Sequence, residues 1–361
     1  MGCSFSWAFP EYIFADQDDL TGLLAPIRQR YGIPALAAAF GRDGVVSAIG
    51  AVGVRKRGSP ELVQTDDLFH IGSNTKSMTA TMIATLVEDG ILTWQTTIAD
   101  AFPDLLDSIL PDYYPVDLIT LLSHRSGIAD LPAFHDQAWT LDGPLPAQRL
   151  TMLQTVLNHS PADPPGTQYR YSNWGYVMAG TIAEHATGQA WEDLIQQRLF
   201  NPLGLQSAGF GAPGSADIVD QPWGHSGPSY DPVTPGRFAD NPPVYGPAGT
   251  VHCSLTDFVN YGIMHARGEN GEPGLLLTPD SFQTLHRDWF NQFYALGWGL
   301  ADRDWAGGRA LTHNGSNTYW YHTVWIAPAR NAVLLTATNC GVNGFEACDA
   351  AAGALVGRYL Q

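Results

Sequence analysis

The pattern of apolar residues changes character twice along the chain, and that change limits the fold more than any other feature. Residues 18–31 read as an amphipathic helix, with Leu20, Leu23, Leu24, Ile27 and Tyr31 on one face. Two apolar runs follow, 35–40 and 45–54, and Gly41-Arg42-Asp43-Gly44 between them predicts a hairpin. Residues 73–88 repeat apolar positions at helical spacing (Met78, Met82, Leu86 and Val87 among them), and Asp89-Gly90 ends that helix. From about residue 90 to 265 the segments are helical, including 119–122, 150–157, 175–185 and 191–199. Pro- and Gly-rich loops join them, and 208–250 reads as a long irregular excursion. Strand patterns return at 294–300, 318–326 and 332–338, before a last helix from about 344 to 359. Strands and a helix at each end, with helices between, predict an α/β (α+β) architecture. One domain is built from residues 18–72 and 266–361, and a mostly helical domain from 73–265 interrupts it.

Composition narrows the partners. The formal net charge is −17 over 361 residues, and a surface of that sign repels nucleic acid and anionic membranes. No run reaches the length of a transmembrane helix. Cys3, Cys253, Cys340 and Cys348 lack metal-ligand spacing. Cys340 and Cys348 are near enough in sequence to close a short loop in an oxidising compartment, but buried free thiols are the preferred reading. The start lacks the basic and apolar regions of a secretory leader. Met1-Gly2-Cys3-Ser4-Phe5-Ser6 fits the myristoylation pattern, which a trimmed or prokaryotic start explains more simply. That leaves a cytoplasmic chain, or a periplasmic or secreted one whose leader has been removed.

Lysine occurs only at Lys56 and Lys76, while arginine supplies the other 16 cations. One of these rare lysines lies three residues after a serine, in Ser73-Asn74-Thr75-Lys76, where a helix opens. Residues three apart on a helix share a face, so the hydroxyl and the amine can meet. A serine hydroxyl is a poor nucleophile until a base takes its proton. An amine serves as that base when burial or a nearby cation disfavours its charged form. A second segment, Tyr171-Ser172-Asn173, offers a phenol that can relay a proton, and that loses it more easily beside a lysine. Its Asn173 amide is suited to fixing the lysine amine or a substrate carbonyl. A third, His313-Asn314-Gly315-Ser316, leads into an aromatic strand. Gly315 lets a substrate backbone approach, and His313 supplies a hydrogen bond or a tunable positive charge. Backbone N–H groups of Ser73 and Ser316 would form the oxyanion hole. Singly, each segment also reads as ordinary structure: a helix cap with a surface lysine, a core tyrosine with a turn asparagine, a strand-leading turn.

Taken together and in this order, the three segments resemble the signature of serine β-lactamases and penicillin-binding proteins. Leu121-Leu122-Ser123-His124-Arg125-Ser126-Gly127-Ile128, Pro202-Leu203-Gly204-Leu205 and Leu296-Gly297-Trp298-Gly299 also fall where that family has such segments, so the likeness covers nearly the whole chain. Tyr171-Ser172-Asn173 is similar to the class C β-lactamase branch, which also holds D-alanyl-D-alanine carboxypeptidases, D-aminopeptidases and family VIII carboxylesterases. The resemblance implies an antiparallel sheet flanked by helices, and an active site where the two domains meet. It implies an acyl-enzyme on Ser73, with Lys76, Tyr171 and His313 as catalytic partners. His313 stands where class C β-lactamases usually carry Lys, as it does in several esterases and peptidases of the branch. The implied substrate is a small ester, amide or β-lactam, with carboxylesterase the leading activity. A D-alanyl-D-alanine peptidase, a D-aminopeptidase, a weak β-lactamase and a penicillin-binding sensor that acylates without turnover are the alternatives. His124, within the family loop, reads as structural.

Trp174, Trp298, Trp320 and Trp325 flank these segments and read either as core or, for Trp174 and Trp320, as walls of an apolar cleft. There is no G-x-S-x-G elbow, and Gly209-Phe210-Gly211-Ala212-Pro213-Gly214 neither follows a clear strand nor opens a helix. Eleven histidines are scattered without an H-E-x-x-H pair, so neither metal nor other cofactor is expected.

Overall fold

The computed structural model describes residues 17–361; Cys3 and the Met1–Ser6 pattern lie outside the described residues. Its centre is a seven-stranded sheet assembled from both ends of the chain, in the spatial order Asp18–Asp19, Val45–Gly53, Ala35–Arg42, Ala332–Thr338, Tyr321–Ala327, Gly308–Ser316, Gly299–Arg303. All neighbours run antiparallel except the short first pair. The chain belongs to the mixed α/β class, an antiparallel sheet flanked by helices.

The first hairpin is tighter than its sequence suggests. Its strands run to Arg42 and from Val45, so the turn is Asp43-Gly44 alone, and both residues take positive φ (51° and 90°). Two-residue hairpins demand that conformation, and Asp-Gly adopts it at little cost. Along Ala35–Arg42 the side chains alternate between two cores. Leu36, Ala38 and Phe40 join Leu20, Leu24, Leu334, Ala351 and Leu355 beneath the helices Thr21–Tyr31 and Gly344–Tyr359. Ala35, Ala37 and Ala39 face the larger core on the other side. There the helix Leu255–Glu269 lies so close that a Cβ on Gly262 would meet Val333 at 2.7 Å. Ala332–Thr338 is buried along its whole length because helices cover both faces of the sheet. Burying a side chain such as Leu334 or Leu335 stabilises the fold by about 1.5–3 kcal/mol.

The helix Thr75–Glu88 runs through the larger core, and 12 of its 14 residues are buried. Such a helix must satisfy its polar side chains locally. Ser77 donates to Asn74 O at 2.8 Å, Thr79 to Pro247 O at 2.7 Å and Thr85 to Met82 O at 2.7 Å. A 3₁₀ turn, Gly72–Asn74, precedes the helix and carries Ser73 at its mouth. Among the described residues, no helix is long and apolar enough to cross a membrane. Cys253, Cys340 and Cys348 are buried, unbonded thiols.

Candidate active site

Three chain segments converge on Ser73. The turn that holds it follows strand Leu68–His70 and is pressed against the end of strand Gly308–Ser316. The approach is close enough that only glycine fits on either side. A Cβ on Gly315 would collide with Ile71 O and stand 2.8 Å from the Ser73 nitrogen, while one on Gly72 (φ 52°) would collide with the Ser316 nitrogen. The backbone amides of Ser73 and Ser316 are thereby brought to one place. Strand Gly299–Arg303 pairs with Gly308–Ser316 only as far as Thr312, so the edge from His313 onward lies open beside the serine.

Tyr171-Ser172-Asn173 enters as a helix start. Ser172 caps the helix Asn173–Thr187 by accepting the Gly175 N–H at 3.3 Å, which aims its two neighbours at the serine. Tyr171 Oη donates to Ser73 Oγ at 2.7 Å. Asn173 Oδ1 accepts from Lys76 Nζ at 2.8 Å. Lys76 Nζ also reaches Ala248 O at 2.7 Å and Ser73 Oγ at 3.0 Å.

Lys76 is fully buried, and burial holds its amine well below the usual lysine range, with the Asp130 carboxylate only partly opposing. A neutral amine has two protons and one lone pair. Lys76 Nζ has three acceptors, Ser73 Oγ, Asn173 Oδ1 and Ala248 O; in the neutral form Asn173 Oδ1 and Ala248 O keep the protons and the lone pair falls to the Ser73 hydroxyl. Tyr171 goes the other way. Its ring is 40% exposed, yet burial around the hydroxyl raises the phenol above its ordinary range, partly offset by the bond to Ser73. The expectation that Tyr171 loses its proton easily is therefore reversed: beside a neutral lysine there is no cation to draw it off.

His313 sits apart from this cluster in its bonding. It is buried, its Nδ1 donates to Asn314 O at 2.7 Å, and its Nε2 accepts from Tyr294 Oη at 3.0 Å. Burial, with Lys76 adding to it, pushes its pKa down to about 3, so it is a neutral ring and not a positive charge at neutral pH. Asn314, next along the strand, points the opposite way and is exposed. Trp174 and Trp320 do not wall a cleft, because both are fully buried. Trp174 packs edge-on to Tyr245 with ring centroids 4.8 Å apart, and Trp320 seats against Gly224 and His70. Tyr169 and Tyr171, 43% and 40% exposed, are the aromatic rings that do reach the surface here.

The structure adds Ala248 and Tyr294, which the sequence did not single out, and gives His124 a place beneath Tyr171. Ala248 contributes only a carbonyl, which leaves no side-chain signature. Tyr294 holds His313. His124, in an unusual positive-φ conformation (60°), lies under Tyr171 with rings 4.4 Å apart and accepts the Ser172 N–H at 3.1 Å.

A half-buried serine with a fully buried lysine amine 3.0 Å from its hydroxyl, set in this fold, defines the class of β-lactamase-fold serine hydrolases. The beta-lactamase family profile matches residues 20–358, and the chain belongs to that family. Penicillin-binding protein 4 of Amycolatopsis lactamdurans is 30% identical over 328 residues, which are 88% of this chain and 83% of that relative. A lovastatin esterase of Penicillium rubens is 26% identical over 170 residues, 42% of this chain and 42% of the relative. Among solved structures, a class C beta-lactamase superposes with a TM-score of 0.77 at 19% identity, over 94% of this chain and 95% of that one. The family thus spans penicillin-binding proteins, carboxypeptidases, esterases and β-lactamases.

Proposed function

We propose that the protein hydrolyses small carboxylic esters through an acyl-enzyme on Ser73. The single observation carrying this reading is the fully buried Lys76 amine, 3.0 Å from Ser73 Oγ and flanked by Asn173 Oδ1 and Ala248 O, which hold its protons when it is neutral. Lys76 takes the Ser73 proton as the oxygen attacks the ester carbonyl. The N–H groups of Ser73 and Ser316 receive the developing oxyanion, a contribution of about 10²–10³-fold in rate per donor. Tyr171, protonated at rest, gives its proton to the departing alkoxide and recovers one from the Lys76 ammonium. Water then enters by the same route in reverse and frees the acid.

The preference for esters over D-amino-acid peptides or β-lactams rests on His313. Carboxylate-bearing substrates of those two classes gain from a cation near the acyl site, and here the third segment supplies a neutral imidazole. The lovastatin esterase among the relatives points the same way. The division of the chain into an α/β domain and a helical domain, with the site between them, belongs to the same proposal. The test mixes the protein with a p-nitrophenyl ester series, nitrocefin and D-alanyl-p-nitroanilide, following both burst and steady rate. Steady turnover fastest on esters is expected. A burst with no steady phase on any of them overturns the hydrolase reading in favour of a sensor.

A further inference from the structure

Behind the Ser73 turn lies a carboxylate that the acyl-transfer steps do not use. His70, fully buried, accepts the Gly72 N–H on Nδ1 at 3.1 Å, so its ring proton sits on Nε2. That Nε2 stands 2.7 Å from Oδ1 of Asp240, which arrives from a loop remote in sequence and is 9% exposed. The same oxygen accepts the Asn241 N–H at 2.7 Å and Asn317 Nδ2 at 3.1 Å.

Each of these three neighbours, the two donors and the His70 ring, leads to a piece of site backbone. His70 holds Gly72, the residue before the nucleophile. Asn317 follows Ser316 directly and closes the next turn by accepting the N–H groups of Tyr319 and Trp320, both at 3.2 Å. Asn241 Nδ2 donates to Gly249 O at 2.8 Å, and Gly249 follows Ala248, whose carbonyl takes the Lys76 amine at 2.7 Å. Hydrogen bonds to an ionised acceptor are roughly twice as strong as neutral ones, and a buried anion left with unpaired neighbours is costly. One oxygen with two hydrogen-bond donors, and with the His70 ring at ion-pair distance, therefore ties three segments to one another.

We infer that Asp240 is a positioning residue for the acyl-transfer reaction, holding the Gly72–Ser73, Ser316–Asn317 and Ala248–Gly249 backbone in one register. It rests on the Ser73 reading above, because the groups it aligns are the two oxyanion N–H donors and the carbonyl that orients the base. Oxyanion donors act only when aimed within a few tenths of an ångström, so loosening this hub costs the transition state and spares the bound ester.

The test compares Asp240→Ala, Asp240→Asn and Asn317→Ala on a p-nitrophenyl ester, with a boronic acid as the transition-state mimic. Asp240→Ala lowers kcat by about 10²-fold with KM within about twofold, and boronate affinity falls in step with kcat/KM. Asp240→Asn keeps an oxygen for Asn241 N–H and Asn317 Nδ2 and stays within about threefold of the parent. A parent-like kcat in Asp240→Ala, or an Asn variant as damaged as the Ala variant, overturns the inference. Should circular dichroism show Asp240→Ala unfolded, Asn317→Ala decides: a loss of about tenfold in kcat alone supports the hub, and an unchanged kcat refutes it. Fluorophosphonate labelling of the parent separates the two layers. Absent Ser73-dependent labelling and turnover sinks both, while an active parent with indifferent variants sinks the hub alone.

Discussion

Among the described residues one lysine and one arginine lie fully buried, Lys76 and Arg149, and their surroundings differ in one respect. Arg149 is met by two carboxylates, Glu184 at 2.5 Å and Glu192, and accepts no compromise: its pKa is raised, those neighbours outweighing the burial. Lys76 is met by a hydroxyl, an amide oxygen and a backbone carbonyl, none of them charged, and burial prevails. Equal burial thus gives a permanent cation in one place and a neutral base in the other. The partners decide. Arg149 ties the helix Leu145–Leu157 to Glu184, Glu192 and the carbonyl of Val244, a structural task. Lys76 has been left uncompensated, which is the condition for chemistry at Ser73.

The sharpest break of this contrast is at the site itself. Ser73→Ala is expected to abolish turnover and fluorophosphonate labelling, read by gel fluorescence. Lys76→Ala is expected to lose about 10³-fold or more in kcat, since nucleophile and base fail as a unit. Lys76→Arg should be as inactive, because a guanidinium cannot give up its proton; parent-like rates in it would mean that charge, not basicity, is what Ser73 needs. Next in size is Arg149→Ala, which strands the buried Glu184 carboxylate beside the partly exposed Glu192 and is expected to cost about 3–5 kcal/mol of stability in a urea titration. Activity per folded molecule should change far less than stability. Comparable losses in both would erase the distinction between the two cations.

A smaller effect sharpens it. The active form of Lys76 is the neutral amine, so kcat/KM is lost as pH falls through its depressed pKa, and an ordinary lysine value would put that limb near 10.4. Tyr171 is raised, so its ionisation takes nothing from the rate on the alkaline side until pH exceeds the ordinary phenol range. Asp130 is the one charge holding the Lys76 pKa up, and Asp130→Asn should move the acid limb of the pH–rate profile to lower pH. No movement, or movement upward, would show that Asp130 is not felt at the amine.

Much of the fold was legible because period and turn chemistry agree. The last helix, Gly344–Tyr359, and strand Ala332–Thr338 begin and end where the pattern puts them. Strand Gly308–Ser316 was not, since Gly308, Arg309, Asn314 and Gly315 break the alternation that marks a strand. Its pairing with Tyr321–Ala327 from Leu311 to Ser316, and with Gly299–Arg303 from Gly308 to Thr312, supplies what local pattern lacks. At the site, Ser73, Lys76, Tyr171 and Asn173 were legible by type and spacing, and the structure brings them within hydrogen-bond distance. The charge state of His313 was not, because burial is a property of the assembled chain. Nor were Ala248, which acts through a carbonyl, and Asp240, which meets His70 and Asn317 from segments far apart in sequence. Trp174 and Trp320 show the converse: large aromatic rings beside a motif went to the core, where their area is worth most.

The scarcity of lysine makes the protonation of Lys76 directly measurable. With only Lys56 and Lys76 in the chain, lysine labelled with ¹⁵N at Nζ and ¹³C at Cε gives two side-chain signals. At pH 8, one of them is expected to carry the shifts of a neutral amine and to vanish in Lys76→Ala. Two ammonium signals at that pH, both persisting until the ordinary lysine range, would contradict a buried neutral base at Ser73.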